Sequence, residues 1–270
     1  AKTNFLANMS HDIRTPMNAI VGMTDIAKYN IDDKEKVQEC LNKITASSTQ
    51  LLNLLNNILD MSEIEMDTLK LKEGQFSMTE LAENIQVVLA QMARGRKVEF
   101  EMTCDVEHEN LLGDSVRLRQ VMMNIISNGI KYTDAFGKVS VSITEAAMND
   151  SDYAEFDIIV TDTGVGMTQE FIENHIFKPF ERSEDRRVQK VEGSGIGMSI
   201  SKSIIDAMGA TLAIESTVGV GSRFSIHVRL KKDKNVQKNF KVEDGIAILD
   251  ASGKNILVVE DNDMNMEIIK

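Results

Sequence analysis

The residues with the clearest chemical potential are His11 and Asp12, a histidine followed directly by a carboxylate. Imidazole titrates near neutral pH, and its neutral form is a nucleophile when it is correctly oriented. Asp12 would accept the proton on one ring nitrogen and leave the lone pair of the other free to attack phosphorus. A surface histidine near a helix start is the simpler interpretation of these two residues alone. The hypothesis therefore depends on a phosphoryl donor bound elsewhere in the chain.

A helix predicted over residues 114–132 carries a second group of candidates. At 100° per residue its apolar side chains fall on one side and its polar side chains on the other. The polar set is Arg117, Gln120, Asn124, Asn128 and Lys131. An ordinary solvated face is the alternative, but such faces usually carry Glu and Lys and not aligned amides. An amide oxygen is a suitable Mg²⁺ ligand, and an ammonium group suits the phosphates that accompany Mg²⁺.

Asp162 ends a strand predicted over residues 155–162 and is followed by Gly164 and Gly166. The apolar alternation of that strand puts Asp162 on its core side. A carboxylate there can accept a hydrogen bond from an exocyclic amine, which adenine has and guanine lacks at that ring position. The glycines let the backbone approach a flat base. Asp-Thr-Gly is also favourable turn chemistry, so a simple turn remains the alternative.

A second glycine cluster opens a helix predicted over residues 196–208. Glycines before a helix N-terminus present backbone amides to phosphate. The G-x-G-x-G spacing differs from the dinucleotide fingerprint, so the cluster alone is weak evidence. Its members are Gly193, Ser194, Gly195 and Gly197.

The two glycine sites are separated by residues 167–192, a mostly polar segment with an apolar anchor that contains Phe180. A long excursion of this kind is usually a functional lid or a disordered loop. Arg182 is a candidate phosphate contact within it, although a solvated charge run explains most of the basic residues in this segment equally well.

The elements that must position these residues differ between the two ends of the chain. Residues 1–29 predict a helix that Pro16 bends just after the histidine. After a turn, a second helix of about eight turns keeps a heptad pattern of apolar residues. Two such helices form a hairpin whose apolar stripes cannot bury each other, which predicts a homodimeric four-helix bundle. Packing onto the rest of the same chain is the alternative.

From about residue 70 the pattern changes to short strands and amphipathic helices that do not alternate regularly, which predicts an α+β sandwich. Predicted strands cover 97–103, 138–145, 155–162, 211–215 and 222–230, and predicted helices cover 78–93, 114–132 and 196–208.

Composition excludes some functions. The net charge of −12 argues against a nucleic-acid-binding surface. Nucleotide binding needs only a few local cations and amides, so it remains open. Cys40 and Cys104 lack metal-ligand spacing and indicate reduced thiols in a cytoplasmic setting. No apolar run approaches the roughly 20 residues of a membrane span. Because the chain opens inside a predicted helix, we expect a cytoplasmic fragment of a longer protein, without membrane contact of its own.

The order of these motifs resembles the sensor histidine kinases of two-component systems, over essentially residues 1–230. The phosphoacceptor box is FLANMSHDIRTPMNAIVG, the N box RLRQVMMNIISNGIKYT, the glycine boxes DTGVGM and GSGIGMSI, the F box FKPF and the closing strand GVGSRFSIHV. The tail NILVVEDNDMNMEI resembles the start of a receiver domain, which implies a hybrid kinase. Gly129 departs from the family, which prefers alanine there, and so would loosen the N-box helix.

The resemblance implies four segments and a role for each candidate residue. The segments are a dimerisation and histidine phosphotransfer hairpin (1–66), a catalytic Hsp90-like ATP-binding domain (70–230), a linker (231–253) and a truncated receiver (254–270). Asp162 would read adenine, Asn128 would hold Mg²⁺ with Asn124 assisting, and Lys131 and Tyr132 would meet phosphates or ribose. Glycines at 193, 195 and 197 would shape the lid hinge and the phosphate contacts.

The implied activity is ATP-dependent autophosphorylation of His11, with Asp12 as orienting group and general base, followed by transfer to an aspartate of a receiver domain. Thr15, one turn beyond His11, implies phosphatase activity on that aspartate, although a plain helix residue before a proline is nearly as good an interpretation. Two other classes remain open: an Hsp90-like ATPase without phosphotransfer, and a nucleotide-binding dimeric scaffold.

Overall fold

The computed structural model describes residues 2–66, 69–147, 150–181, 188 and 195–234, with only the backbone described for residues 2–12 and Glu65. The chain divides into two compact units, Ala1–Lys234 and Asn235–Lys270. The second unit, which contains most of the predicted linker and all of the predicted receiver segment, lies outside the described residues.

The first part of the chain is a helical hairpin, as the heptads predict. α1 (Lys2–Tyr29) continues through Pro16, and α2 (Lys34–Glu65) packs against it. The side chain of Asp33 caps α2 by accepting a hydrogen bond from the backbone N–H of Lys36 at 3.0 Å, which satisfies one of the free donors at the helix start. Several apolar side chains on the hairpin remain about half exposed within one chain: Met17, Leu41, Leu52, Leu55 and Leu59.

The second part is a seven-stranded sheet with helices, the predicted α+β sandwich. The strands are β1 (Gly74–Ser77), β2 (Glu99–Asp105), β3 (Asn110–Gly113), β4 (Lys138–Ala146), β5 (Tyr153–Asp162), β6 (Thr211–Thr217) and β7 (Gly221–Lys232). The helices are α3 (Met78–Arg96), α4 (Ser115–Tyr132), α5 (Gln169–Asn174) and α6 (Gly197–Ala207). The strand order is β1-β3-β7-β5-β4-β2, and β6 pairs with the first half of β7. Only the β2–β4 pairing is parallel among these strands.

The core lies between one face of the sheet and the helices. Every second residue of β5 is buried, from Ala154 to Asp162, and the same alternation holds in β4 and through most of β7. These side chains pack against the apolar faces of α3, α4 and α6 in one continuous cluster. The period-two pattern therefore sends each strand's apolar set to the helical layer and leaves polar side chains on the other face.

All five predicted strands and all predicted helices of this part are present, with bounds shifted by a few residues. The sequence did not predict β1, β3 or α5, each of which has only four to six residues. β7 extends to Lys232, two residues into the segment predicted as a linker. Among the described helices, none combines the length and the apolar character needed to cross a membrane.

Candidate functional site

A cavity of about 230 Å³ lies between α4, the end of β5 and the start of α6, with Asp162 in its wall. Asp162 is the last residue of β5 and only 7% exposed. Its Oδ1 accepts hydrogen bonds from the backbone N–H groups of Gly164 at 2.8 Å and Ser222 at 3.3 Å. Burial raises the pKa of the Asp162 carboxyl, and the two N–H donors partly oppose that shift. Among the described residues Oδ2 has no hydrogen-bond partner, so this oxygen remains an acceptor for a ligand.

Two amides of α4 face the same cavity, Asn124 and Asn128. They lie four residues apart and so stand one above the other on the helix. Asn124 donates to Ser201 Oγ at 2.8 Å, and its Oδ1 accepts a long contact from Asn128 Nδ2 at 3.5 Å. Asn124 is therefore engaged by protein on both ends of its amide, which orients Asn128 with its oxygen away from Asn124. Sequence reasoning missed Ser201, whose only signal is a polar residue on the buried face of α6.

The glycines around the cavity permit close approaches that a side chain would block. Gly166 has φ +66°, and a Cβ there would overlap the carbonyl oxygen of Thr217. A Cβ on Gly197 would overlap the side-chain oxygen of Asn124, so this glycine lets α6 approach the amide pair of α4. A Cβ on Gly164 would overlap the carbonyl oxygen of Tyr132, which accepts the N–H of Val165 at 3.1 Å. These glycines fix the shape of the wall next to Asp162.

The structure brings together many of the residues predicted to bind the cofactor. The cavity is lined by Asn124, Asn128, Lys131, Tyr132, Asp162, Gly166, Gly195 and Gly197. Gly164 and Phe180 lie beside it and not in its wall. Phe180 has φ 68° and donates its N–H to the Gly195 carbonyl at 2.9 Å, so it anchors the second glycine site. Arg182, Gly193 and Ser194 lie outside the described residues.

The polar face of α4 serves two partners. Asn124, Asn128 and Lys131 line the cavity, whereas Arg117 and Gln120 contact Asp60 of α2. The first turn and a half of this polar face therefore contacts α2, and the rest of it lines the cavity. The sequence could not reveal this, because nothing in the heptads of α2 indicates which neighbour its last turns contact.

The phosphoacceptor candidates lie on the hairpin. His11 and Asp12 fall within α1, and their side chains are outside the described part of the chain. Thr15 follows one turn later on the same helix. A histidine beside a carboxylate is common in this protein: His108 contacts Glu145 at 2.7 Å, His227 contacts Asp157 at 3.0 Å, and His175 contacts Glu181. Proximity to a carboxylate therefore does not distinguish His11 from the other three histidines.

The donor set around the cavity fits a magnesium–adenine nucleotide. The free oxygen of Asp162 suits an exocyclic amine, and the Asn128 amide oxygen suits a hard cation. Lys131 supplies a positive charge for phosphate. The closely packed glycines leave room for a flat base against the backbone. ATP and Mg²⁺ are thus chemically compatible with the residues present.

Comparison with known families identifies both parts of the chain. Residues 113–232 match the family described as histidine kinase-, DNA gyrase B-, and HSP90-like ATPase. Residues 1–67 match the His Kinase A (phospho-acceptor) domain. The chain therefore carries the phosphoacceptor domain and the ATPase domain of the histidine kinases, as its motifs indicate.

Curated relatives match most or all of this chain within longer proteins. The sensory/regulatory protein RpfC of Xanthomonas campestris is 35% identical over 226 residues, covering 83% of this chain and 31% of RpfC. The autoinducer 2 sensor kinase/phosphatase LuxQ of Vibrio vulnificus is 31% identical over 270 residues, covering all of this chain and 31% of LuxQ. The chain therefore spans about a third of the length of these relatives.

Solved structures share the fold at lower identity. Full-length ShkA in complex with AMPPNP has a TM-score of 0.61 at 23% identity, over 85% of this chain and 46% of that one. The histidine kinase ThkA in complex with the response regulator TrrA has a TM-score of 0.53 at 23% identity, over 85% of this chain and 61% of that one. At this identity the likeness shows the fold.

Proposed function

We propose that this chain binds Mg·ATP, autophosphorylates on His11 and passes the phosphoryl group to an aspartate of a receiver domain. The observation that carries the proposal is the buried Asp162 carboxylate, held by two backbone N–H groups with one oxygen left for a ligand. It supports an adenine-binding pocket in a chain that also carries a phosphoacceptor domain.

Each part of the nucleotide has a partner in this proposal. Asp162 accepts from the exocyclic amine of adenine, and Gly164 and Gly166 let the backbone lie against the ring. Asn128, oriented by Asn124, holds Mg²⁺, which when bound offsets the negative charge of the phosphates. Lys131 and Tyr132 meet phosphate or ribose, and Gly195 and Gly197, with Gly193, Ser194 and Arg182, contact the phosphates.

The chemical step is an in-line displacement at phosphorus. One ring nitrogen of His11 attacks the γ-phosphorus, the bond from that phosphorus to the bridging oxygen breaks, and ADP leaves with the electron pair. Asp12 orients the imidazole and takes the proton from its other nitrogen. The product is a phosphoramidate, which is acid-labile and alkali-stable.

A labelling experiment separates this proposal from its alternatives. The protein is incubated with γ-labelled ATP and Mg²⁺, and label on the protein is tested for stability in acid and in alkali. We expect acid-labile, alkali-stable label. ATP turnover without labelled protein would favour an Hsp90-like ATPase, and nucleotide binding with neither turnover nor label would favour a scaffold.

The proposed protein partners and location follow from the same function. A receiver domain is the acceptor, either in a response regulator or in the same polypeptide; LuxQ, a relative, is named a sensor kinase/phosphatase. We place phosphatase activity at Thr15, which lies one turn from His11. The half-exposed leucines of the hairpin support a homodimer. Unpaired Cys40 and Cys104 and the need for ATP support a cytoplasmic location.

A further inference from the structure

The last turns of α2 lie against the nucleotide cavity. Ile64 packs on the hydrophobic core of the second domain, α2 contacts α6, and Asn57 lines the cavity itself. Asn57, Asp60 and Ile64 are three and four residues apart, so they share one face of the helix. The helical hairpin therefore contributes a polar side chain to a cavity otherwise built by the ATPase-type domain.

Asp60 ties this face of α2 to α4. Its Oδ1 accepts from Arg117 Nη1 at 2.5 Å, and its Oδ2 accepts from Gln120 Nε2 at 2.6 Å. The same Arg117 nitrogen donates to Gln120 Oε1 at 2.9 Å, which closes the cluster. Asp60 is 8% exposed. A carboxylate this buried is tolerated only when it is paired and hydrogen-bonded, so the three side chains hold the two helices together as a unit.

A second acidic residue provides a natural comparison. Glu63 contacts Arg117 Nη2 at 3.2 Å, but its side chain is 47% exposed. An ion pair with one solvated partner contributes little because water and salt screen it. The structure thus offers a buried carboxylate and an exposed one on the same helix, both facing the same arginine.

We propose that Asn57 is a nucleotide-binding residue and that the Asp60–Arg117–Gln120 cluster positions it, so that the nucleotide affinity of the pocket depends on the helical hairpin. Asp60 is three residues, about 4.5 Å along the axis, from Asn57, so fixing Asp60 fixes the height and rotation of the Asn57 amide. The Asn57 side chain offers both a donor and an acceptor to ribose or phosphate. The inference rests on the nucleotide site of the proposed function and adds a residue to it from the phosphotransfer domain.

The coupling is reciprocal. A nucleotide that contacts Asn57 binds more tightly when α2 is packed against α4 than when the two helices are apart. It therefore stabilises the cluster that positions Asn57. Asp60 lies outside the cavity lining, so any effect of Asp60 on nucleotide affinity must pass through the packing of α2 against α4.

A double-mutant cycle tests this coupling with the full chain. The affinity for Mg·AMPPNP is measured by isothermal titration calorimetry for wild type, Asn57→Ala, Asp60→Ala and the double variant. Asn57→Ala is expected to weaken binding about five- to twenty-fold, the loss of one hydrogen bond to a charged or polar ligand. Asp60→Ala is expected to weaken it by a similar factor. The double variant is expected to match Asp60→Ala within two-fold, because α2 no longer presents Asn57.

Control variants separate a specific effect on nucleotide affinity from a general loss of structure. Arg117→Ala breaks the cluster from the other helix and must reproduce the Asp60→Ala affinity, whereas Glu63→Gln must bind as wild type does. Circular dichroism checks that each variant is folded. Wild-type affinity in Asn57→Ala or in Asp60→Ala, or equal effects of Asn57→Ala in both backgrounds, overturns the inference. The affinity measurement needs no phosphoryl transfer. Labelling of His11 in the wild-type chain, together with wild-type affinity in Asn57→Ala, would therefore refute this inference and leave the proposed function intact.

Discussion

At the scale of single residues, the candidate site contains a carboxylate whose burial disfavours its ionised form. Burial of Asp162 raises its pKa, which means that the ionised form is destabilised relative to water. Two backbone N–H groups offset part of that cost at Oδ1. A buried carboxylate that costs stability in this way is typical of functional sites.

Asp162→Asn separates those two roles. Asparagine keeps an oxygen for the N–H groups of Gly164 and Ser222 but removes the charge. We expect AMPPNP affinity to fall about 12- to 150-fold, the worth of a hydrogen bond to a charged group, while the free energy of unfolding in urea rises by about 1 kcal/mol. Ser151→Ala, at an exposed loop position, is the control. Unchanged affinity in Asp162→Asn would contradict the role of Asp162 in reading adenine.

At the scale of elements, the glycine segment after β5 must bend where no side chain fits. Gly166 combines a positive φ with a close approach to the Thr217 carbonyl, whereas Gly209 has φ +65° and open space around it. Alanine at either position would have the same unfavourable positive φ, but only at Gly166 would its Cβ also overlap a neighbouring residue.

Gly166→Ala is expected to lower the free energy of unfolding by about 3 kcal/mol and to weaken nucleotide binding, because the segment beside Asp162 must shift. Gly209→Ala is expected to cost about 1 kcal/mol and to leave nucleotide affinity unchanged. Urea denaturation and calorimetric titration measure the two effects. Equal losses of stability in the two variants would show that the contact with Thr217 is not decisive.

The sequence predicted elements that carry a long, regular pattern and missed those that do not. β5 and α4 each have enough residues for a period of two or 3.6 to be visible. β1 and β3 have four residues each. β1 pairs with β3, and β3 pairs with the end of β7, so both pairings are long-range. The same limit applies at the site: Asp162 could be inferred from its strand, but Asn57 belongs to the cavity only through a tertiary contact.

At the scale of the whole molecule, the hairpin leaves an apolar stripe uncovered within one chain. Leu52, Leu55 and Leu59 lie three and four residues apart on α2, and each is at least half exposed. Burying a leucine stabilises an assembly by about 1.5–3 kcal/mol. A second hairpin is the partner that covers such a stripe in a four-helix bundle.

Leu55→Glu is expected to convert a dimer into a monomer, because it places a charge in the middle of that stripe. Light scattering after size exclusion measures the mass. Val87→Glu, which changes an exposed residue of α3, should leave the dimer intact. A wild-type monomer, or a dimer that survives Leu55→Glu unchanged, would count against the bundle.

The proposed function requires that His11 receive the γ-phosphoryl group of ATP. The most direct test measures acid-labile label from γ-labelled ATP in His11→Gln beside His175→Gln, since His175 also contacts a carboxylate, Glu181. We expect label to disappear in His11→Gln and to persist in His175→Gln, with AMPPNP affinity unchanged in His11→Gln. Acid-labile label that survives in His11→Gln would contradict the proposed function.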